Sequence, residues 1–128
     1  MTNMIRAHER LVTEIISQQC TDLIAIESVT KNEKQIADYL FKWAKHLSQI
    51  RSNKINRYGN NIIIGSPDEK RPCIAFVGHI DTVPLPTNYQ GVYNDGDKIV
   101  GRGASDMKGG IAVMQALFDT IDLSNSPF

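Results

Sequence analysis

The sequence has no excess of either charge, few cysteines and no long apolar run. Fourteen basic residues balance fourteen acidic ones among 128 residues, so the composition argues against a strongly basic nucleic-acid binder. No apolar run approaches the roughly 20 residues that a membrane-spanning helix needs, and Met1 to Glu9 contains no apolar core of signal-peptide length. We therefore expect a cytoplasmic protein that binds neither nucleic acid nor membrane.

The two cysteines, Cys20 and Cys73, lie far apart and show no C-x-x-C spacing. A disulfide framework is not expected in a domain of this size, so both are predicted to be small, buried apolar residues in a reducing compartment. The hydrophobic share of 41% and the charged share of 22% are typical of a globular domain. The length fits one domain that can bury a core.

The first third of the chain has helical periodicity. Apolar residues recur at helical spacing from Ile5 to Glu27, which predicts one helix or two abutting ones. Thr30 to Glu33 matches a capping box, in which the Thr30 hydroxyl would accept a hydrogen bond from the Glu33 amide. A second amphipathic helix follows, and its Trp43 is predicted to pack in the core and not to hold a cofactor.

After the second helix the pattern changes to short strands and turns. The near-continuous apolar run Cys73 to Val77 predicts a strand that is covered on both faces. Together the helices and strands predict an α/β fold, with helices packed on a mostly parallel mixed sheet. The other predicted elements are strands at 53–57, 61–65 and 99–100 and a final helix at Met107 to Ile121.

The first candidate site segment, Gly78-His79-Ile80-Asp81-Thr82-Val83-Pro84, directly follows the predicted buried strand. Ligands of open α/β sheets bind outside the carboxyl ends of the strands. Residues two apart on an extended chain point the same way, so His79 and Asp81 can serve one site. His79 could offer one imidazole nitrogen to a metal ion, while Asp81 is placed to hold the other. A structural or solvent-exposed His79 is the simpler alternative.

The second candidate segment, Gly101 to Gly110, places Asp106 at the start of the last predicted helix. A carboxylate there could bridge two divalent cations, or it could simply cap the helix. Glycines before a helix also suggest phosphate binding, but neither G-x-G-x-x-G nor the Walker pattern is present. Lys108 is interpreted as a lysine of the surface or capping region, and His8 and His46 receive no role.

Taken together, the two segments resemble the M20 family of metallo-aminoacylases and peptidases, which carries G-H-x-D-x-V-P followed by G-R-G-x-x-D-M-K-G. Gly78 to Pro84 and Gly101 to Gly109 match both motifs in the same order. The resemblance implies that His79 binds one metal ion and that Asp106 bridges two, Zn²⁺ or Co²⁺. It also implies that Asp81 is the catalytic residue that orients His79.

The resemblance covers nearly all of this chain but about the first third of a family member. It implies that residues 1–128 form the N-terminal part of a three-layer, zinc-peptidase-like catalytic domain. The general-base glutamate, the remaining ligands and a dimerisation domain would lie elsewhere, so the chain alone is expected to be inactive. The complete enzyme would be a homodimer.

The resemblance also implies a reaction, the hydrolysis of an N-acyl amide or peptide. The short segment Leu85 to Val100 favours N-succinyl-diaminopimelate, an intermediate of lysine synthesis, as the substrate. Acetylornithine and dipeptide or carboxypeptidase substrates stay open. A module that binds a metal or a partner without turnover is the alternative from another functional class.

Overall fold

The computed structural model describes residues 2–51, 54–65 and 72–121. Helices and strands are both present, as predicted for the α/β class. The helices are α1 (Thr2–Ala25), α2 (Lys34–Arg51) and α3 (Gly109–Thr120), and the strands are β1 (Ile55–Tyr58), β2 (Asn61–Ile64), β3 (Tyr93–Asp95) and β4 (Lys98–Val100). No helix in these ranges is long and apolar enough to cross a membrane.

The core lies where the three helices meet. Apolar residues spaced three or four apart give each helix one apolar side, and burial of those sides is the main stabilising term. Trp43 is half-buried, stands edge-on to Phe118 at 6.4 Å between ring centroids, and donates a hydrogen bond to Asp119 at 3.1 Å. The predicted packing role of Trp43 therefore agrees with the structure. The buried cluster comprises Cys20, Leu23 and Ile24 of α1, Ile36 and Leu40 of α2, and Ile111 and Ala112 of α3.

The four strands form two antiparallel hairpins, β1–β2 and β3–β4. Each hairpin has a two-residue loop that begins with a glycine, since Tyr58 pairs with Asn61 and Asp95 pairs with Lys98. Gly59 and Gly96 take φ values of 62° and 61°, which glycine adopts without steric cost and which such tight turns require. The predictions at 61–65 and 99–100 are confirmed to within one residue, while β3 was not predicted. The prediction at 53–57 is confirmed to within one residue over its described part, and residue 53 lies outside the described residues.

The predicted strand at Cys73 to Val77 is wrong. Residues 72–81 form no strand, and Ile74, Phe76 and Val77 are 57%, 58% and 81% exposed. A strand needs a neighbour to satisfy its backbone groups, and no other described strand runs beside this segment. Cys73 is also exposed, contrary to prediction, whereas Cys20 is buried as expected and its burial raises the thiol pKa.

The predicted capping box at Thr30 is also wrong. A turn closed by the Asn32 amide on the Val29 carbonyl at 2.7 Å separates Thr30 from α2, which begins at Lys34. The Glu33 carboxylate accepts a hydrogen bond from the backbone amide of Lys31. The Thr30 hydroxyl is therefore available for a partner elsewhere in the chain.

Candidate metal centre

The centre is built around the imidazole of His79, which lies between two carboxylates. Nε2 of His79 is 2.8 Å from Oδ1 of Asp106. On the opposite side of the ring, Nδ1 is 3.1 Å from the backbone oxygen of Asp81 and 3.2 Å from its Oδ1. The three residues singled out in the sequence therefore meet at one place. This is the arrangement in which one ring nitrogen is held by a carboxylate and the other is directed at a ligand position.

Asp106 lies in a wide turn, Ala104–Lys108, that precedes α3. The turn is closed by the Lys108 amide on the Gly103 carbonyl at 2.8 Å. Asp106 has φ −135° and ψ 92°, and its peptide bond to Met107 is cis. The helix-cap alternative is wrong, because α3 begins at Gly109 and makes no side-chain capping hydrogen bond. The Asp106 side chain is 87% exposed, so it is open to a ligand.

Close packing brings His79 against this turn. The His79 amide donates to the sulfur of Met107 at 3.3 Å. A Cβ on Gly78 would lie 3.0 Å from the Cε of Met107 and 3.5 Å from a side-chain carbon of Ile111. The absence of a side chain at position 78 therefore lets the backbone approach the turn closely, and this approach places the ring next to Asp106.

Asp81 is in turn held by Thr30, which the sequence analysis had predicted to cap a helix. The Thr30 hydroxyl donates to Oδ2 of Asp81 at 2.7 Å. Sequence reasoning missed this contact because its partners are 51 residues apart. A signal was nevertheless present, since the resemblance to the M20 family covers nearly all of the chain and so extends beyond the two motifs.

The two carboxylates set the protonation of the centre. The Asp106 carboxylate accepts a hydrogen bond from the His79 ring and raises the pKa of His79 above its ordinary value, assisted by the contact with Asp81. The hydrogen bond from Thr30 lowers the pKa of Asp81, assisted by the nearby imidazole. Both carboxylates can accept from the ring, so these contacts favour the imidazole with a proton on each nitrogen. A metal ion at Nε2 would take the place of the proton there, while Nδ1–H would still donate to Asp81.

The donor set fits a divalent metal ion. Imidazole nitrogen and carboxylate oxygen are both zinc ligands, and here they face the same point. Within the described ranges, no group of three or more His, Cys, Asp or Glu side chains is placed to hold a metal ion. His79 and Asp106 could thus provide two protein ligands, whereas catalytic zinc usually has three together with a water molecule.

Lys108 is a core residue and not a surface lysine, which corrects the sequence interpretation. Its side chain is 1% exposed, and Nζ donates to the backbone oxygen of Ile26 at 2.6 Å. Burial lowers the Lys108 pKa to about 8, although the charge of Glu27 acts in the opposite direction. The lysine therefore ties the turn that carries Asp106 to the chain that leaves α1.

Comparison with known proteins gives consistent matches. The sequence profile of peptidase family M20/M25/M40 matches residues 75–126. A succinyl-diaminopimelate desuccinylase of Corynebacterium glutamicum is 33% identical over 102 residues, which is 80% of this chain and 27% of that protein. A second one, from Orientia tsutsugamushi, is 35% identical over 133 residues, 91% of this chain and 31% of that protein.

A carboxypeptidase relative from Emericella nidulans is 31% identical over 99 residues, 71% of this chain and 23% of that protein. The matched part of these three relatives is thus less than a third of their length. The histidine between two carboxylates defines a candidate metal centre of the metallohydrolase type. The chain belongs to peptidase family M20/M25/M40.

Proposed function

We propose that the chain is the N-terminal part of the catalytic domain of a two-metal amidohydrolase. The observation that carries the proposal is the 2.8 Å approach of His79 Nε2 to Asp106 Oδ1, with Asp81 on the other ring nitrogen. The matched family profile includes all three residues. In the complete enzyme, this part of the chain would belong to a three-layer domain with helices packed on a mostly parallel mixed sheet.

In the proposed site His79 and Asp106 would hold the metal ions, Zn²⁺ or Co²⁺, and Asp106 would be the ligand common to both. Divalent metal ions in such sites supply Lewis-acid activation of water and polarisation of a carbonyl. Asp81 keeps the proton of His79 on Nδ1, so that Nε2 offers its lone pair to the metal. The general-base glutamate and the remaining ligands would lie outside this chain, as the resemblance to the family implies.

For the complete enzyme we propose N-succinyl-diaminopimelate as the substrate, which is split into succinate and diaminopimelate in lysine synthesis. The names of the Corynebacterium and Orientia relatives support this substrate, as does the short segment Leu85 to Val100. The name of the Emericella relative makes a carboxypeptidase substrate the second candidate, and acetylornithine is the third. Homodimer formation and a cytoplasmic location belong to the same proposal.

Zinc titration by calorimetry tests the metal assignment. The wild-type chain is compared with His79→Ala, Asp106→Ala and with a control double variant, His46→Ala, Asp97→Ala, which removes the same side-chain types at exposed positions. We expect saturable binding by the wild type and the control and its loss in the first variant, with circular dichroism showing that all three are folded. Equal binding by the site variant and the wild type would contradict the proposal.

Hydrolysis assays test the second part of the proposal. Since the described residues bring two protein ligands together and no general base, we expect this chain to bind zinc without turning over N-succinyl-diaminopimelate. The proposed complete enzyme is expected to lose its hydrolytic activity when His79 is replaced by alanine (His79→Ala). Measurable turnover by the 128-residue chain itself would show that the catalytic machinery is already complete within it.

A further inference from the structure

We propose that Thr30 is a positioning residue of the metal centre, whose hydroxyl fixes the Asp81 carboxylate and thereby the imidazole of His79. The proposal rests on the proposed function and deepens it. Thr30 Oγ1 donates to one carboxylate oxygen of Asp81 at 2.7 Å, and the other oxygen of that carboxylate is 3.2 Å from Nδ1 of His79. The three residues form a continuous chain of hydrogen bonds that ends at Asp106.

Backbone hydrogen bonds hold Thr30 at this place. The Thr30 amide donates to the Thr82 carbonyl at 3.0 Å, and the Thr82 amide donates to the Ser28 carbonyl at 2.8 Å. These bonds form an isolated parallel bridge between Val29 and Thr82, and Thr82 is buried with 6% exposure. The distance from the Thr30 backbone to Asp81, the residue before Thr82, is therefore fixed.

The turn that follows Thr30 is held by hydrogen bonds to the carboxylate of Glu33. Lys31 has a φ of 77°, a left-handed conformation that is uncommon for a residue with a side chain. The Glu33 carboxylate accepts a hydrogen bond from the Lys31 amide and another from the side-chain amide of Asn60 at 3.1 Å. Asn60 lies in the β1–β2 loop, so this hairpin supports the turn that carries Thr30.

His79 depends on these hydrogen bonds because packing alone does not hold its ring. The His79 side chain is 46% exposed and that of Asp81 is 36% exposed. A carboxylate without the Thr30 donor can rotate about its own bonds, and Nδ1 of His79 then loses a fixed acceptor. Groups that hydrogen-bond to a metal-binding histidine, directly or through a carboxylate, commonly affect both the orientation and the basicity of its ring.

The first test measures zinc affinity by calorimetry for the wild type, Thr30→Val and Thr30→Ser. The matched control is Thr13→Val, which removes a hydroxyl that donates to the Glu9 carbonyl within α1 at 2.8 Å. We expect Thr30→Val to weaken zinc binding by about tenfold and Thr30→Ser and the control to bind as the wild type does. Equal affinity of Thr30→Val and the wild type overturns the proposal.

The second test uses the metal-free protein, so it separates this proposal from the proposed function. Nitrogen NMR shifts of the His79 ring, followed upward in pH until they no longer change, report which nitrogen carries the remaining proton. We expect the share of the Nδ1–H form to fall in Thr30→Val and to return in Thr30→Ser. An unchanged proton distribution overturns the role of Thr30, even if zinc binds at His79 and Asp106. If zinc does not bind to the wild type, the metal assignment fails while this test still decides the role of Thr30.

A third readout needs no variant and covers the case in which Thr30→Val does not fold. The exchange of the Thr30 hydroxyl proton with water is followed by NMR in the wild type, with the Thr87 hydroxyl, which lies in an exposed loop, as the reference. We expect slower exchange at Thr30 than at Thr87. Equal exchange at the two hydroxyls overturns the proposal.

Discussion

At the residue scale, Lys108 is a buried titratable side chain two residues after Asp106 of the candidate metal centre. A lysine with a pKa of about 8 is kept inside by its hydrogen bond to the Ile26 carbonyl. Its ordinary pKa is 10.5, so between these two values the unfolded chain binds more protons than the folded one. The free energy of unfolding therefore gains a contribution that increases with pH across this window.

We predict that Lys108→Met removes this pH dependence. Relative to the variant, the wild type should gain about 2 kcal/mol in unfolding free energy from pH 8 to pH 10, because the buried charge is neutralised. Urea unfolding at the two pH values measures the difference. Lys42→Met, at an exposed position on α2, is the control and should keep the wild-type dependence. Parallel pH curves for the wild type and Lys108→Met would contradict the prediction.

The sequence predicted the residues of the candidate site better than it predicted the residues that hold them in place. His79, Asp81 and Asp106 were found because each lies in a motif that can be read locally. The partners of Thr30 and Lys108 are 51 and 82 residues away, and no periodicity or spacing reports a contact over that distance. Local chemistry instead suggested a helix cap for Thr30 and a surface position for Lys108.

At the element scale, the helices and three of the four strands were predictable because their signals are short-range. Apolar periodicity located α1 and α2, and turn residues marked the β1–β2 hairpin. The last helix was predicted from Met107 but begins at Gly109, since the preceding residues form the wide turn. The run Cys73 to Val77 shows the limit of this approach. An apolar pattern indicates that a segment can be buried, but it does not show whether a neighbouring strand is present to pair with that segment.

The wide turn depends on Gly103, and we predict that Gly103→Ala is more destabilising than Gly96→Ala. Both glycines have positive φ, 82° and 61°, which costs alanine about 1 kcal/mol at either position. A Cβ on Gly103 would also lie 2.8 Å from the Thr82 methyl, whereas a Cβ on Gly96 meets nothing within 4 Å.

We expect losses in unfolding free energy of about 3 kcal/mol for Gly103→Ala and about 1 kcal/mol for Gly96→Ala, measured by urea unfolding. The clash pushes on the backbone beside Thr82, so Gly103→Ala should also weaken zinc binding, while Gly96→Ala should not. Similar losses for the two variants would mean that the turn adapts to the added methyl group.

At the scale of the whole molecule, a stretch of apolar side chains is open to solvent beside the site. Ile74, Phe76, Val77 and Val83 are between 57% and 81% exposed. Monomeric proteins rarely leave large apolar side chains together on the surface. The matched relatives are more than three times as long as the part aligned with this chain, and in the proposed complete enzyme this stretch is covered.

We predict that the chain by itself self-associates through this stretch. Sedimentation velocity should show a mass that increases with protein concentration, and an apolar dye should become fluorescent on binding. Val77→Lys should reduce both effects, whereas Ile5→Lys, at a position on α1 with 56% exposure, should change them little. A concentration-independent monomer without dye binding would contradict the prediction.

The bridge between Val29 and Thr82 also determines when the centre can form during folding. Thr30 and Asp81 enclose a loop of 51 residues, whose closure costs about 3.5 kcal/mol of chain entropy. A few hydrogen bonds cannot offset that cost before the helices have packed. We therefore expect the geometry around His79 to form late in folding and to be lost together with the helical core.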